Sequence, residues 1–399
     1  MKPLYDALKK YAAVKGRFHM PSHGGDPSAL FPKRERLYAS AAFDITELSF
    51  SDNLANPCGV IRRAEKLAAK AYGAEQTLFF AGGATDAIRT ALYCLKDKKI
   101  AFFGEMHKSF HSIARQFSLS VIEGNELSML ENEGVEVLCV TSPDYYGRVK
   151  NVEEIAAFAR KIGAILVVDE AHGAHFAFSS LLPKSAVISA DLMIHGAHKT
   201  LPVYTGGAML HVKNEWFERA VEARSECVST SPSYLVMASL DYAREYMEEN
   251  GERLYADLKA RLDALKNKYE RVEVLPSDDF SRLTVLKEGG GHALAAHLEK
   301  NGIFAEAQNA DGVTFIVTPF NANDLESVFS LCASFSGKNA KYADLSELIG
   351  KVSARDVGVY PPGVPLVKAG EVFTAEKVEI LEKNLDRLFG ASGGKIRTK

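Results

Sequence analysis

The chain has 399 residues, 48 Lys and Arg against 51 Asp and Glu, a net charge of −3, and 47% hydrophobic and 25% charged residues. That balance leaves no electrostatic footprint for nucleic acid and no basic run that would hold an anionic membrane. The length exceeds what one ordinary core supports, so a large domain with a smaller one is expected. Cys58, Cys94, Cys139, Cys227 and Cys332 are widely spaced with no CxxC pair, which argues against a disulfide framework and against a zinc site. The opening stretch MKPLYDALKKYAAVKG has no apolar run of signal-peptide length, and no segment reaches the ~20 apolar residues of a membrane span. The expectation is a soluble, cytoplasmic protein.

In chain order, VIRRAEKLAAKAYGA reads as a helix ended near Gly73, QTLFF as a short strand, and GGATDAIRTALYCL as a turn into a second helix. KIAFFG, SLSVIEG, VEVLCVTSP and AILVVDEA are short apolar runs of the kind buried parallel strands show. Between the last two, Val152, Ile155, Phe158, Ala159 and Ile162 fall on one helical face, with Gly163 placed to cap it. Strands joined by helices of this length imply βαβ units and a largely parallel sheet. DLMIHG and GGAMLHV supply further strands, and helices dominate to about residue 268. The remainder mixes strands (SRLTVL, GVTFIVTP) with helices (HALAAHLEKNG, NDLESVFSLCASF), as a smaller α+β domain does.

In open α/β sheets the ligand sits beyond the carboxyl ends of the strands, and four clusters fall there. In FFAGGATDAI, a strand turns at Gly82 and Gly83 into a helix starting at Ala84 and Thr85. Such a start either is an ordinary cap or holds a phosphate on its free N–H groups, with Thr85 adding a hydroxyl. Asp169 follows an apolar strand, where a carboxylate can pair with a protonated ring nitrogen. His172 and His175 raise a metal alternative, but DEAHGAH lacks the helical spacing of HExxH, so no metal is expected. His107, again past a strand, is a satisfied loop residue or a ring stacked on a flat cofactor. Lys199, 30 positions after Asp169, either snorkels to water or is a desolvated amine able to form a Schiff base. A phosphate cradle, a stacking His, a pyridinium partner and a Schiff-base lysine form the set that a pyridoxal 5'-phosphate (PLP) enzyme uses.

At these residues the chain resembles the Orn/Lys/Arg decarboxylase family of fold-type-I PLP enzymes, whose major domain is similar to that of the aspartate aminotransferases. The resemblance runs through FHMPSHGG, DITELSFSDNLANPCGVIRRAEKLAAKAYGA, MHKS, TSPDYYG, VVDEAHGAHF, HKTLPVYTGGAMLHV, STSPSYLVMASLD and YPPGVPLVKAGE. It implies a three-layer α/β major domain with a mostly parallel sheet over residues 61–268 and a small α+β domain over 269–399. Residues 1–60 would pack on the active site and a dimer interface. By the same resemblance Lys199 carries PLP as a Schiff base, His107 stacks on its ring and Asp169 holds the pyridine nitrogen. Ala171 lies beneath the ring and His172 beside it, while Gly83, Ala84, Thr85 and His198 hold the phosphate. Ser229 and Ser231, in STSPSY, would reach the phosphate of the neighbouring subunit in a homodimer. The implied activity is decarboxylation of lysine, arginine or ornithine, giving a diamine or agmatine.

The chain departs from the family pattern at Gly196 and Ala84, where relatives carry hydroxyls, at Ser22 and Gly24 in PSHGG, and at Asp144. The departures leave open other PLP reactions on this scaffold (transamination, racemisation, lyase chemistry) and a non-catalytic PLP-binding relative. Arg355 is a candidate clamp for a substrate α-carboxylate, as an aminotransferase would use. Asp144, Glu47 and Glu306 are candidates for the distal amine of a basic substrate.

Overall fold

The computed structural model describes every residue except 15, 16, 18, 24, 26–37, 288, 289, 310, 338–344, 360–362, 390, 393, 394, 397 and 399. Gly24 and residues 360–362 of the YPPG motif therefore lie outside the described residues. The chain divides into two compact units, Met1–Gly104 with Ser112–Pro143 and Val149–Leu254, and Glu105–His111 with Asp144–Arg148 and Tyr255–Lys399.

The first unit is built on a seven-stranded sheet. Its elements begin with α1 (Pro3–Tyr11), α2 (Val60–Tyr72), β1 (Gln76–Phe80), α3 (Ala84–Cys94), β2 (Ile100–Phe103), α4 (Lys108–Gln116) and β3 (Val121–Gly124). They continue through β4 (Val137–Thr141), α5 (Val152–Ile162), β5 (Ile165–Asp169), β6 (Leu192–His195), β7 (Ala208–Val212), α6 (Asn214–Cys227) and α7 (Tyr234–Lys268), of which residues 108–111 of α4 and 255–268 of α7 count with the second unit. The strand order is β1-β7-β6-β5-β4-β2-β3. Strands β3, β2, β4, β5 and β6 pair in parallel, and β7 runs antiparallel to both β6 and β1. The carboxyl ends of β1, β4, β5 and β6 thus share one edge.

The parallel strands read as continuous apolar runs because helices cover both faces. Leu138, Val140, Leu166, Val168 and Met193 pack with Ile155, Ala156 and Ala159 of α5 into one cluster. Helix α5 starts where Asn151 accepts the Glu154 N–H at 3.2 Å and stops at Gly163, whose φ of 70° favours glycine. Strand β1 is tied to α2 and α6 by a fully buried ion pair, Arg224 Nη1 to Glu65 Oε1 at 2.6 Å. Glu65 also accepts the Phe79 N–H at 3.0 Å, and Arg224 donates to the Phe79 carbonyl at 3.3 Å. The strand it holds supplies part of the pair's hydrogen bonding, while Glu65 Oε2 and Arg224 Nε and Nη2 are buried without a hydrogen-bond partner among the described residues, and losing one member would leave a buried charge.

The second unit carries two antiparallel three-stranded sheets. Strands β8 (Arg282–Leu286), β9 (Ala307–Asn309) and β10 (Gly312–Ile316) form one in the order β8-β10-β9, with α8 (Gly291–Lys300) and α9 (Leu325–Ser334). Strands β11 (Val357–Val359), β12 (Pro365–Val367) and β13 (Leu388–Phe389) form the other, with α10 (Ala375–Glu382). Leu348, Val357, Val367, Phe373, Val378 and Leu381 make its core. Among the described residues no helix is long and apolar enough to cross a membrane, and all five cysteines are unbridged.

Candidate functional site

Lys199 closes a short turn, Ala197–Lys199, directly after β6. The turn is pinned by three backbone bonds: Gly196 N–H to the Ala171 carbonyl at 3.2 Å, His198 N–H to Gly207 at 3.1 Å, and Lys199 N–H to Gly196 at 2.9 Å. The Lys199 side chain is half-buried, and its Nζ lies 3.0 Å from Nε2 of His172. The amine is aimed at an imidazole in the β5 exit loop. The same turn explains one departure from the family pattern. A Cβ on Gly196 would stand 2.9 Å from the Ala171 carbonyl and 3.1 Å from Lys199 Cδ, so a serine there crowds both.

Asp169 is the last residue of β5 and is 4% exposed. Its register puts it opposite Thr141 of β4 and Ile194 of β6. The Ala171 N–H donates to its Oδ1 at 3.1 Å. Burial pushes the carboxyl above its ordinary range, while the Lys199 charge and the Ala171 N–H pull it back. A buried carboxylate of this kind is matched by a cation placed against it.

The glycine turn after β1 lies beside the turn that enters β7. The Gly83 N–H donates to the Gly206 carbonyl at 2.7 Å, and His198 Nδ1 lies 3.0 Å from the Gly207 carbonyl. Gly206, at φ 98°, permits the approach, since a Cβ on it would stand 2.5 Å from the Ala81 carbonyl. A Cβ built on Gly83 comes no nearer than 3.9 Å to the His198 ring. Ala84 and Thr85 then open α3, whose first N–H groups lack intrahelical partners, and Thr85 is exposed. Asp86 in this first turn is an unwelcome neighbour for an anion, and Arg89 Nη1 offsets it at 2.8 Å. Lys199, His172, Asp169, Ala171, Gly83, Ala84, Thr85 and His198 are thus all carried by the first unit, on shared-edge strand ends or the loops that follow them.

His107 falls in the second unit, with Nδ1 2.8 Å from the Ser109 hydroxyl at the start of α4. Ser229 and Ser231 are exposed between α6 and α7, and the Ser231 N–H donates to Ser229 Oγ at 3.1 Å. The Asp144 carboxylate caps its own turn, accepting from the N–H groups of Tyr146 and Arg148, both at 2.9 Å. Glu306 is exposed and accepts from the Tyr145 hydroxyl at 2.8 Å, Glu47 is partly buried, and Arg355 is exposed.

The sequence reading passed over three buried groups in the first unit. Glu170, His195 and His211 are 2%, 0% and 2% exposed and are hydrogen-bonded to one another in series. Their signal was present: each is a polar residue inside or directly after an apolar strand. Among the described residues no cluster of three or more His, Cys, Asp or Glu could hold a metal ion.

Comparison with known proteins follows the same lines. The family model described as Orn/Lys/Arg decarboxylase, major domain, matches residues 2–121 and 113–287, and that of the C-terminal domain matches 330–383. The chain is 29% identical to an uncharacterised Bacillus subtilis protein over 100% of its length and 97% of the relative's. It is 27% identical to the arginine decarboxylase of Bacillus subtilis, over 96% of this chain and 94% of that one. Lysine decarboxylase A from Pseudomonas aeruginosa superposes with a TM-score of 0.77 at 18% identity, covering 96% of this chain and 75% of the other. A serine palmitoyltransferase solved with PLP shares the fold at a TM-score of 0.57 and 15% identity, over 71% of this chain and 80% of the other. The architecture is therefore that of the fold-type-I PLP-dependent decarboxylases, with a mixed, mostly parallel sheet and a small unit of antiparallel sheets. The chain is an enzyme of the Orn/Lys/Arg decarboxylase family.

Proposed function

We propose that the protein removes the α-carboxylate of a basic amino acid (lysine, arginine or ornithine) with PLP held by Lys199. The observation that carries this reading is the buried Asp169 at the end of β5, with Lys199 following the neighbouring strand β6 and its amine 3.0 Å from His172. The residues fit the cofactor. Asp169 is a desolvated carboxylate suited to a protonated ring nitrogen. The Gly83–Thr85 helix start, with the His198 ring beside it, offers N–H donors and an exposed hydroxyl to a phosphate. When bound, PLP supplies an electron sink for the pair released as the bond to the α-carboxylate breaks.

The chain's own residues would do the rest. Asp169 would keep the ring nitrogen protonated, and His172 would orient the Lys199 amine and exchange a proton with it. Ala171, small and buried, would leave room beneath the ring. Ser229 and Ser231, exposed as the α6–α7 turn requires, would serve a partner subunit in a homodimer. The five unbridged cysteines suit a reducing, cytoplasmic compartment.

Decarboxylation is favoured over transamination because the family model and the arginine decarboxylase relative named above are of decarboxylases. The test of cofactor attachment is borohydride reduction of the yellow protein followed by peptide mass analysis. Label on Lys199 supports the reading, and label elsewhere, or none after PLP is supplied, removes it.

A further inference from the structure

Glu170, His195, His211 and Thr77 form one buried hydrogen-bonded chain. Glu170 Oε2 accepts the Ala186 N–H at 2.6 Å, and its Oε1 lies 3.1 Å from His195 Nε2. His195 Nδ1 lies 3.1 Å from His211 Nε2, and His211 Nδ1 lies 2.8 Å from Thr77 Oγ1. None of the four is more than 2% exposed. Glu170 immediately follows β5, His195 ends β6, and His211 and Thr77 lie on β7 and β1, the next strands in the sheet. The chain therefore crosses the four strands whose ends carry Asp169, the Lys199 turn, the Gly206 turn and the Gly83 turn. A Cβ on Gly173 would stand 2.6 Å from Glu170 Cγ, so a glycine is what lets this side chain lie where it does.

Each link carries one proton, so the chain can be satisfied in two directions. With Glu170 neutral, its Oε1–H donates to His195 Nε2, His195 Nδ1–H to His211 Nε2, and His211 Nδ1–H to Thr77. With Glu170 ionised, Thr77 donates to His211 Nδ1, His211 Nε2–H to His195 Nδ1, and His195 Nε2–H to Glu170. The two forms differ by one proton, released to solvent. The groups facing the chain are Asp169 beside Glu170, the Ser185 side chain on Glu170, His175 from the β5 exit loop, and the Tyr72 ring of α2. That ring lies 5.0 Å from His195 and 4.8 Å from His211.

We infer that Glu170 is a positioning residue kept as the neutral acid, which ties the exits of β5 and β6 to the neighbouring strands β7 and β1 and leaves Asp169 as the single anion beside it. The inference rests on the reading of Asp169 and Lys199 given above. Burial pushes Glu170 up to about 8 and His195 down to about 3, and it lowers His211 as well, so near neutrality the proton resides on the carboxyl. An ionised Glu170 would place a second negative charge beside Asp169 and raise it further.

The direct test is the ¹⁵N shifts of His195 and His211 in the full chain without cofactor, between pH 6 and 10. Both rings should carry the proton on Nδ1 at pH 6 and on Nε2 at pH 10, with one midpoint near 8. Glu170→Gln, whose amide donates as the neutral acid does, should lock both rings in the low-pH form. Unchanged tautomers across the range, or the same reversal in Glu170→Gln, would overturn the inference. Stability provides a second readout. A carboxyl raised in the fold stabilises at low pH, and that contribution is lost as pH climbs toward its folded value. The Tm of the wild type should therefore fall below that of Glu170→Gln on going from pH 6 to 9, whereas parallel curves contradict it. Tautomer reversal without PLP on Lys199 would remove the proposed function and leave the proton chain standing.

Discussion

Nζ of Lys199 lies 3.0 Å from Nε2 of His172, across the gap between the turn after β6 and the loop after β5. The contact gives the amine a proton partner away from bulk water, which a snorkelling lysine would not need. Lys199→Ala is expected to abolish turnover and borohydride labelling together. His172→Phe should keep the label and lower kcat by on the order of 10²-fold, the usual contribution of one positioned acid–base group. Steady-state kinetics beside the labelling assay distinguishes the two, and a His172→Phe enzyme at wild-type rate removes His172 from the account.

Asp169→Asn keeps the shape of the residue and removes the anion. It should retain PLP with reduced affinity and lose roughly 10²–10³-fold in kcat, the scale of one preorganised electrostatic contact. Absorbance titration measures the first effect and CO₂ release the second. Full activity in this variant refutes the role given to Asp169.

Gly196→Ser restores the hydroxyl that relatives carry, at a place where the Cβ meets the Ala171 carbonyl at 2.9 Å. Overpacking of this kind costs about 1–3 kcal/mol, so Tm should drop. The shifted turn should also weaken PLP binding. A variant with unchanged Tm and tighter PLP would show that the turn relaxes and that the hydroxyl is merely missing.

The homodimer makes a separate prediction. Ser231→Ala should weaken PLP binding, and mixing it with Lys199→Ala subunits should restore part of the activity through hybrid sites. The measurement is a titration of one variant into the other, followed by CO₂ release. A sedimenting monomer that binds PLP at full affinity contradicts the shared site.

The large unit was legible because its strands are buried on both faces and announce themselves as apolar runs. AILVVD became β5, and the cap at Gly163 falls where the helical pattern stops. The small unit was less legible. Strands β9, β11, β12 and β13 are two or three residues long, too short for any period to show. Helix α7 runs through Gly251, which reads as a breaker but packs against Phe178, whose carbonyl a Cβ would meet at 2.7 Å. The candidate residues Asp169, His172 and Lys199 stood out by position after strands. The Glu170–His195–His211 chain did not, because its partners meet through the order β5-β6-β7-β1, which places neighbours in space that are distant in sequence. Asp144, a candidate for the distal amine, carries the backbone of its own turn, a role that local spacing can hide.

The central claim is tested most directly by incubating the PLP-loaded protein with lysine, arginine and ornithine and following CO₂ and the organic product together. The account predicts CO₂ with the matching amine from at least one of the three and no keto acid. It predicts no CO₂ from Lys199→Ala, and near-wild-type release from Arg355→Ala with the same substrate. Keto acid or racemised amino acid without CO₂, or loss of all substrate binding in Arg355→Ala, would contradict it.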